Sequence, residues 1–101
     1  MALDYAKAKN TIVAFGSVGS SYAVAISTTE GHYIEVKNTT DKDLVMRTKN
    51  LLGECVEVRL VTEDFSSRMV ALIHSGDIEI KHAGSAPTRG SVFLQSICAG
   101  N

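Results

Sequence analysis

Tryptophan is absent from this chain, proline occurs once, at Pro87, and only six residues are Phe or Tyr. A binding face built on aromatic platforms, such as a sugar site, is therefore poorly supplied; Tyr5, Tyr22 and Tyr33 with three Phe are all it has to draw on. Cysteine is equally scarce. Cys55 and Cys98 lie far apart and outside any CxxC spacing, so neither a disulfide framework nor a zinc site is implied, and two free, buried thiols are expected. Charge of one sign is also missing: ten Lys and Arg offset eleven Asp and Glu. No field is strong enough to collect phosphate or anionic lipid, which argues against nucleic-acid and membrane partners. No apolar run approaches the length of a membrane helix, and Asp4, Lys7 and Lys9 stand where a secretion signal needs apolar residues. A soluble chain made in the cytoplasm is expected.

Catalytic signatures are lacking too. The cluster of Gly and Ser at 16–21 has neither the lysine of a P-loop nor the GxGxxG of a dinucleotide site, and reads as a hairpin loop. No GxSxG elbow accompanies the available Ser, His and Asp residues. His74 and His82 flank one proposed strand at opposite ends, roughly 25 Å apart at about 3.3 Å per residue, too far to share an ion. Adjacent carboxylates such as Glu54 with Glu57, or Glu63 with Asp64, read as solvated edge charges. No enzyme activity, cofactor or metal is expected.

What is present is alternation of period two. In "CVEVRLVTE", Val56, Val58 and Leu60 share one face while Cys55, Glu57 and Arg59 share the other. "MVALIHSGDIEIKHAG" reads as two strands joined in a hairpin at residues 75–77, with Gly76 taking the positive φ of the turn. "GSVFLQSICAG" gives a last strand with Val92, Leu94 and Cys98 inward and Phe93, Gln95 and Ile97 outward. With residues 11–15, 22–27, 33–37 and 44–48, about eight strands are expected in one domain of 101 residues. A chain of this size buries about 60–70% of its unfolded surface. The pattern predicts an all-β, single antiparallel β-sandwich, jelly-roll-like or a small barrel, at residues 11–101, preceded by an N-terminal arm at 1–10.

Residues 38–43, "NTTDKD", form a polar knot between two of these strands. Asn38-Thr39-Thr40 matches the glycosylation sequon, which has meaning only in a secretory setting. The better reading is a solvent-facing bend whose side chains bond turn backbone, letting Ile34, Val36, Leu44 and Met46 enter one core. The alternating Glu57-Val58-Arg59 and Glu79-Ile80-Lys81 predict cross-strand ion pairs on a wet sheet face.

Two stretches, "HYIEVKNTTDKDLVMR" and "IEIKHAGSAPTRGSVFL", resemble small β-sandwich virion proteins of tailed bacteriophages, of the capsid-decoration or head and tail accessory type. The resemblance covers about a third of the chain. It implies a non-enzymatic part of the virion, most of all a decoration or cement protein docking symmetrically on the major capsid protein as a homo-oligomer. A head-tail, tail or fibre accessory protein is one alternative, and a small carbohydrate- or ligand-binding sandwich another. For such docking the sequence offers Leu3 and Tyr5 in the arm, and Arg59, Lys81 and Arg89, as candidate partner contacts.

Overall fold

The computed structural model describes residues 3–99. Eight strands are found among them: β1 (Leu3–Ala14), β2 (Ala23–Ile26), β3 (Gly31–Asn38), β4 (Leu44–Lys49), β5 (Cys55–Leu60), β6 (Arg68–His74), β7 (Ile78–His82) and β8 (Ser91–Ala99). A short 3-10 turn, Phe15–Ser17, follows β1. The strands form two antiparallel sheets, one in the order β1-β8-β3-β6 and the other in the order β2-β7-β4-β5. The first strand thus pairs with the last, the second with the second-last, the third with the sixth and the fourth with the fifth. A ribbon of paired strands has been rolled into two layers, the arrangement of an eight-stranded jelly roll. It is an open sandwich rather than a closed barrel.

Alternation dictates what the layers bury. From β3 come Ile34 and Val36, from β4 Leu44 and Met46, from β7 Ile78 and Ile80, and from β8 Val92 and Leu94; all join one apolar cluster with Leu60, Ile26 and Val18. Full burial of each such side chain stabilises the fold by about 1.5–3 kcal/mol. The two strands flanking the polar knot enter the same core, as their patterning predicts.

Several expectations are corrected. Residues 75–77 do not close a hairpin, because β6 pairs with β3 in one sheet and β7 with β2 and β4 in the other. Gly76 does adopt a positive φ of 112°, but it serves a crossing between layers. The Gly and Ser stretch after β1 is likewise a crossing, with Val18 buried on its way. Residues 3–10, expected as an arm, form the first part of β1; residues 1 and 2 lie outside the described residues. In β8 the register holds, yet both Ser96 and Ile97 are buried, Ile97 on the outer side of the sheet and apart from the main apolar cluster. There β1 leaves register: Asp4 pairs with Cys98 and Lys9 with Ser96, which sets residues 5–8 against Ile97 alone. Both cysteines are free, but Cys55 is exposed and Cys98 only half-buried.

Candidate interaction surfaces

The polar knot lies at one end of the sandwich, where three crossings meet. Asn38 Nδ2 donates to the carbonyls of Lys42 and Leu60, both at 3.1 Å, while its Oδ1 accepts from the Thr40 backbone N–H at 3.0 Å and the Thr40 hydroxyl at 2.7 Å. The Thr40 carbonyl accepts from Glu63 N–H and the Thr62 hydroxyl, and Asp64 N–H donates to the Asn38 carbonyl. Thr39 binds the backbone of Ser91 through its N–H and its side chain. Asn38 and Thr40 are buried, so the expected solvent-facing tip is instead a polar keystone joining the β3–β4 crossing to those after β5 and β7.

The outer ring of this knot is acidic and paired. Asp43 accepts from Thr62 N–H at 2.7 Å and from Arg59, whose Nη2 lies 2.7 Å from it; these bonds, the backbone one foremost, hold its carboxyl below the usual range. Asp41 accepts from the hydroxyl and N–H of Thr88, which bring its pKa down to about 2. Arg89 sits 2.7 Å from Glu63 and 3.7 Å from Asp41. Two expected partner contacts, Arg59 and Arg89, are therefore engaged within the molecule, though their side chains remain 63% and 69% exposed.

The outer face of the second sheet is charged and internally matched. Arg47 on β4 stands directly opposite Glu79 on β7 and bonds it at 2.9 Å, which gives the Glu79 alternation the cross-strand pair it predicts. Tyr22 lies across this face. Its ring is 3.9 Å from the Arg47 guanidinium and 4.9 Å from the Lys81 ammonium, and its hydroxyl donates to Glu57. Burial, with the Glu57 bond next, pushes the Tyr22 hydroxyl up to about 12. Lys81, a third expected contact, is thus a cation over a ring.

The first sheet presents a different outer face. Its residues follow from the register: Ile12, Phe93 and Lys37 form one row, Gln95, Glu35 and Met69 the next, and Ile97, Tyr33 and Ala71 a third. Ile12 is 71% exposed, Ile73 51% and Met69 43%. Grooves on this face are lined by Ile12, Lys37 and Phe93 at one end and by His32, Tyr33, Ala71, Ile73 and Ala99 at the other. Leu3 and Tyr5 belong to the same sheet's edge strand, Leu3 half-buried beside Ala99 and Tyr5 exposed in the out-of-register segment. Sequence reasoning missed Ile12, Met69 and Ile73. The available signal was the unbroken apolar run "MVALI" of β6, which leaves no polar residue for the outer side of an edge strand.

Two histidines serve structure, while among the described residues the buried His82 Nδ1 has no hydrogen-bond partner. His74 is fully buried; its Nδ1 donates to the Gly76 carbonyl at 3.3 Å, which leaves Nε2 to meet Ser96 Oγ at 2.9 Å. Burial, and to a lesser degree His32, holds its pKa below the ordinary value. His32 Nδ1 accepts from Ala99 N–H at 2.9 Å, pinning the end of β8. Among the described residues no three His, Cys, Asp or Glu side chains gather into a metal-binding group. Comparison with protein-family models, with curated proteins and with solved structures finds no match to this chain.

Proposed function

We propose that this protein is a non-enzymatic structural component of a bacteriophage virion, a decoration or cement protein that docks on the shell as a homo-oligomer. The observation that carries this reading is the unlike character of the two outer faces. One is dominated by charges largely matched to one another, with Val24 exposed on its edge strand; the other exposes Ile12, Met69 and Ile73 around half-buried Tyr33 and Phe93, beside Glu35 and Lys37. Exposed apolar area of this kind marks a surface that meets another protein. The buried polar groups of the knot and of the His74–Ser96 pair are committed to one another, and among the described residues His82 Nδ1 is the buried side-chain atom left without a partner. The resemblance of the knot and final-loop segments to small virion sandwiches points to the shell as the partner.

A cosedimentation assay tests this. Shells of the phage encoding the chain, stripped of it, should bind the purified protein to a fixed stoichiometry, and Ile73→Lys and Ile12→Lys should weaken that binding about tenfold or more. Both positions are exposed, so melting temperatures should change little. Saturable binding to necks or tails but not shells would move the protein to the head-tail or tail position; binding to none of them would refute the reading.

A further inference from the structure

Four strands form the edges of the two sheets, β1 and β6 in one, β2 and β5 in the other. Free edges invite pairing with another chain unless bulges, charges or brevity blunt them. Three of these edges are broken. β1 loses register between Asp4 and Lys9, β2 has four residues and a shift between Val24 and Ile26, and β6 is irregular where it meets Gly31 and Tyr33. Only β5 keeps an unbroken register along its length, from Leu60 opposite Leu44 to Cys55 opposite Lys49.

We propose that two copies of the chain associate through β5, antiparallel, about a two-fold axis beside Val58. Backbone direction allows it. Asn50 N–H donates to the Glu54 carbonyl, so even-numbered residues of this strand turn their backbone groups to β4 and odd-numbered ones turn theirs outward. Arg68 of β6 reaches the Arg59 carbonyl at 3.0 Å, as an outward-facing group permits; that oxygen keeps a second lone pair for a partner strand. With Val58 on the axis, outward-facing residues meet outward-facing residues: Glu57 faces Arg59 of the other copy, Arg59 faces its Glu57, and Cys55 faces Val61.

Charge selects this register. Moving the axis to Glu57 or to Arg59 would set like charges opposite one another, whereas the axis at Val58 matches both ions at once. Their side chains project from the exposed face of β5, where Glu57 accepts from the Tyr22 hydroxyl and Arg59 holds Asp43, so pairing across the axis shares or exchanges those bonds without leaving the sheet. The result is one continuous eight-stranded sheet. A single strand pair is small beside the roughly 1,200–2,000 Å² of stable complexes, so a concentration-dependent dimer is expected. This inference gives an edge to the self-association in the proposed function, yet leaves both outer faces of the sandwich uncovered. A monomeric protein that still binds shells would sink the edge and spare the shell reading; a dimer that binds no virion part would do the reverse.

Light scattering after size exclusion should show a monomer–dimer equilibrium. Glu57→Arg and Arg59→Glu should each weaken it about tenfold or more, since each turns two attractive pairs into repulsive ones, and the double exchange should restore it. The double variant loses the same Tyr22 and Asp43 bonds as the singles, so restoration assigns the effect to the interface rather than to the fold. Register is read independently with Val61→Cys. Mild oxidation should yield a covalent dimer through Cys55 that disappears when Cys55→Ser is added. A wild type that stays monomeric at every concentration, a double exchange that fails to restore association, or a crosslink that survives loss of Cys55 overturns the proposal.

Discussion

At the scale of single residues, the fold depends on polar groups in places where composition suggests solvent. Asn38 uses both ends of its amide at once, donating to two carbonyls and accepting from two Thr40 donors. Its replacement by Ala would leave the buried Thr40 N–H without its acceptor and take a donor from the Leu60 carbonyl and from the Lys42 carbonyl, which keeps the Thr40 hydroxyl; an unpaired buried group costs about 1–3 kcal/mol. Asn38→Ala should therefore destabilise the protein by on the order of 3 kcal/mol in urea unfolding. His74 makes a second such demand. Gly31 faces it so closely that an added Cβ would collide with His74 Nε2 and Ser96 Oγ, so the pair depends on glycine there. Because burial lowers its pKa from the ordinary 6.5, the unfolded chain takes the proton first as the solution is acidified. The stability due to neutral His74 is whole above pH 6.5 and is lost as pH falls below that value toward the folded-state pKa. Asp41 and Asp43, both lowered, lose their contribution only below about pH 4, which leaves a window for the histidine alone to differ between variants. His74→Gln should start less stable at pH 7 but lose less stability between pH 6.5 and 4.5 than wild type, as thermal melts across that range will show.

At the scale of elements, the strands were largely legible and their partners were not. Period-two alternation located β3 to β8 within a few residues and assigned the inward side of β5 and β7 correctly, because a half-buried strand must place every second side chain in the core. Alternation says nothing about which strand lies alongside. Ser75-Gly76-Asp77 has the composition and the positive φ of a tight hairpin, yet Ser75 N–H bonds the Lys49 carbonyl and the Thr48 hydroxyl bonds the Asp77 carbonyl, ties to β4 that draw the chain into the second sheet. The polar knot misled for a related reason. Asn, Thr, Asp and Lys read as wet when only local sequence is seen, and what makes their burial tolerable is supplied by Leu60, Thr62 and Ser91, distant in the chain. The candidate contacts fared unevenly. Arg59, Lys81 and Arg89 were placed on the surface by their charge, but each has a partner within the molecule, whereas the exposed apolar residues of the first sheet carried no charge to draw attention to them.

At the scale of the whole molecule, the rolled ribbon implies an order of assembly. Of all the paired strands, only β4 and β5 are neighbours in both sequence and sheet, joined by a tight turn in which Asn50 Oδ1 accepts from Leu52 and Glu54 N–H groups. Closing that turn costs little chain entropy, and once it is closed the ends of β3 and β6 are brought together by the two short crossings that the knot ties. Pairing of β2 with β7 and then of β1 with β8 follows the same logic outward, each closure shortening the next loop. On that order the β1–β8 pair, outermost in the roll, is the last to form. Folding should be slow for a chain of this length, in the millisecond-to-second range typical of non-local β topologies. Mutations should divide by position. Met46→Ala and Val58→Ala, in the inner hairpin, should chiefly slow folding. Val13→Ala and Val92→Ala, opposite one another in the outermost pair, should leave the folding rate nearly unchanged and accelerate unfolding. Stopped-flow chevrons of these four variants decide the matter: if the β1–β8 substitutions slow folding as much as those in β4 and β5, the roll does not close from the inside.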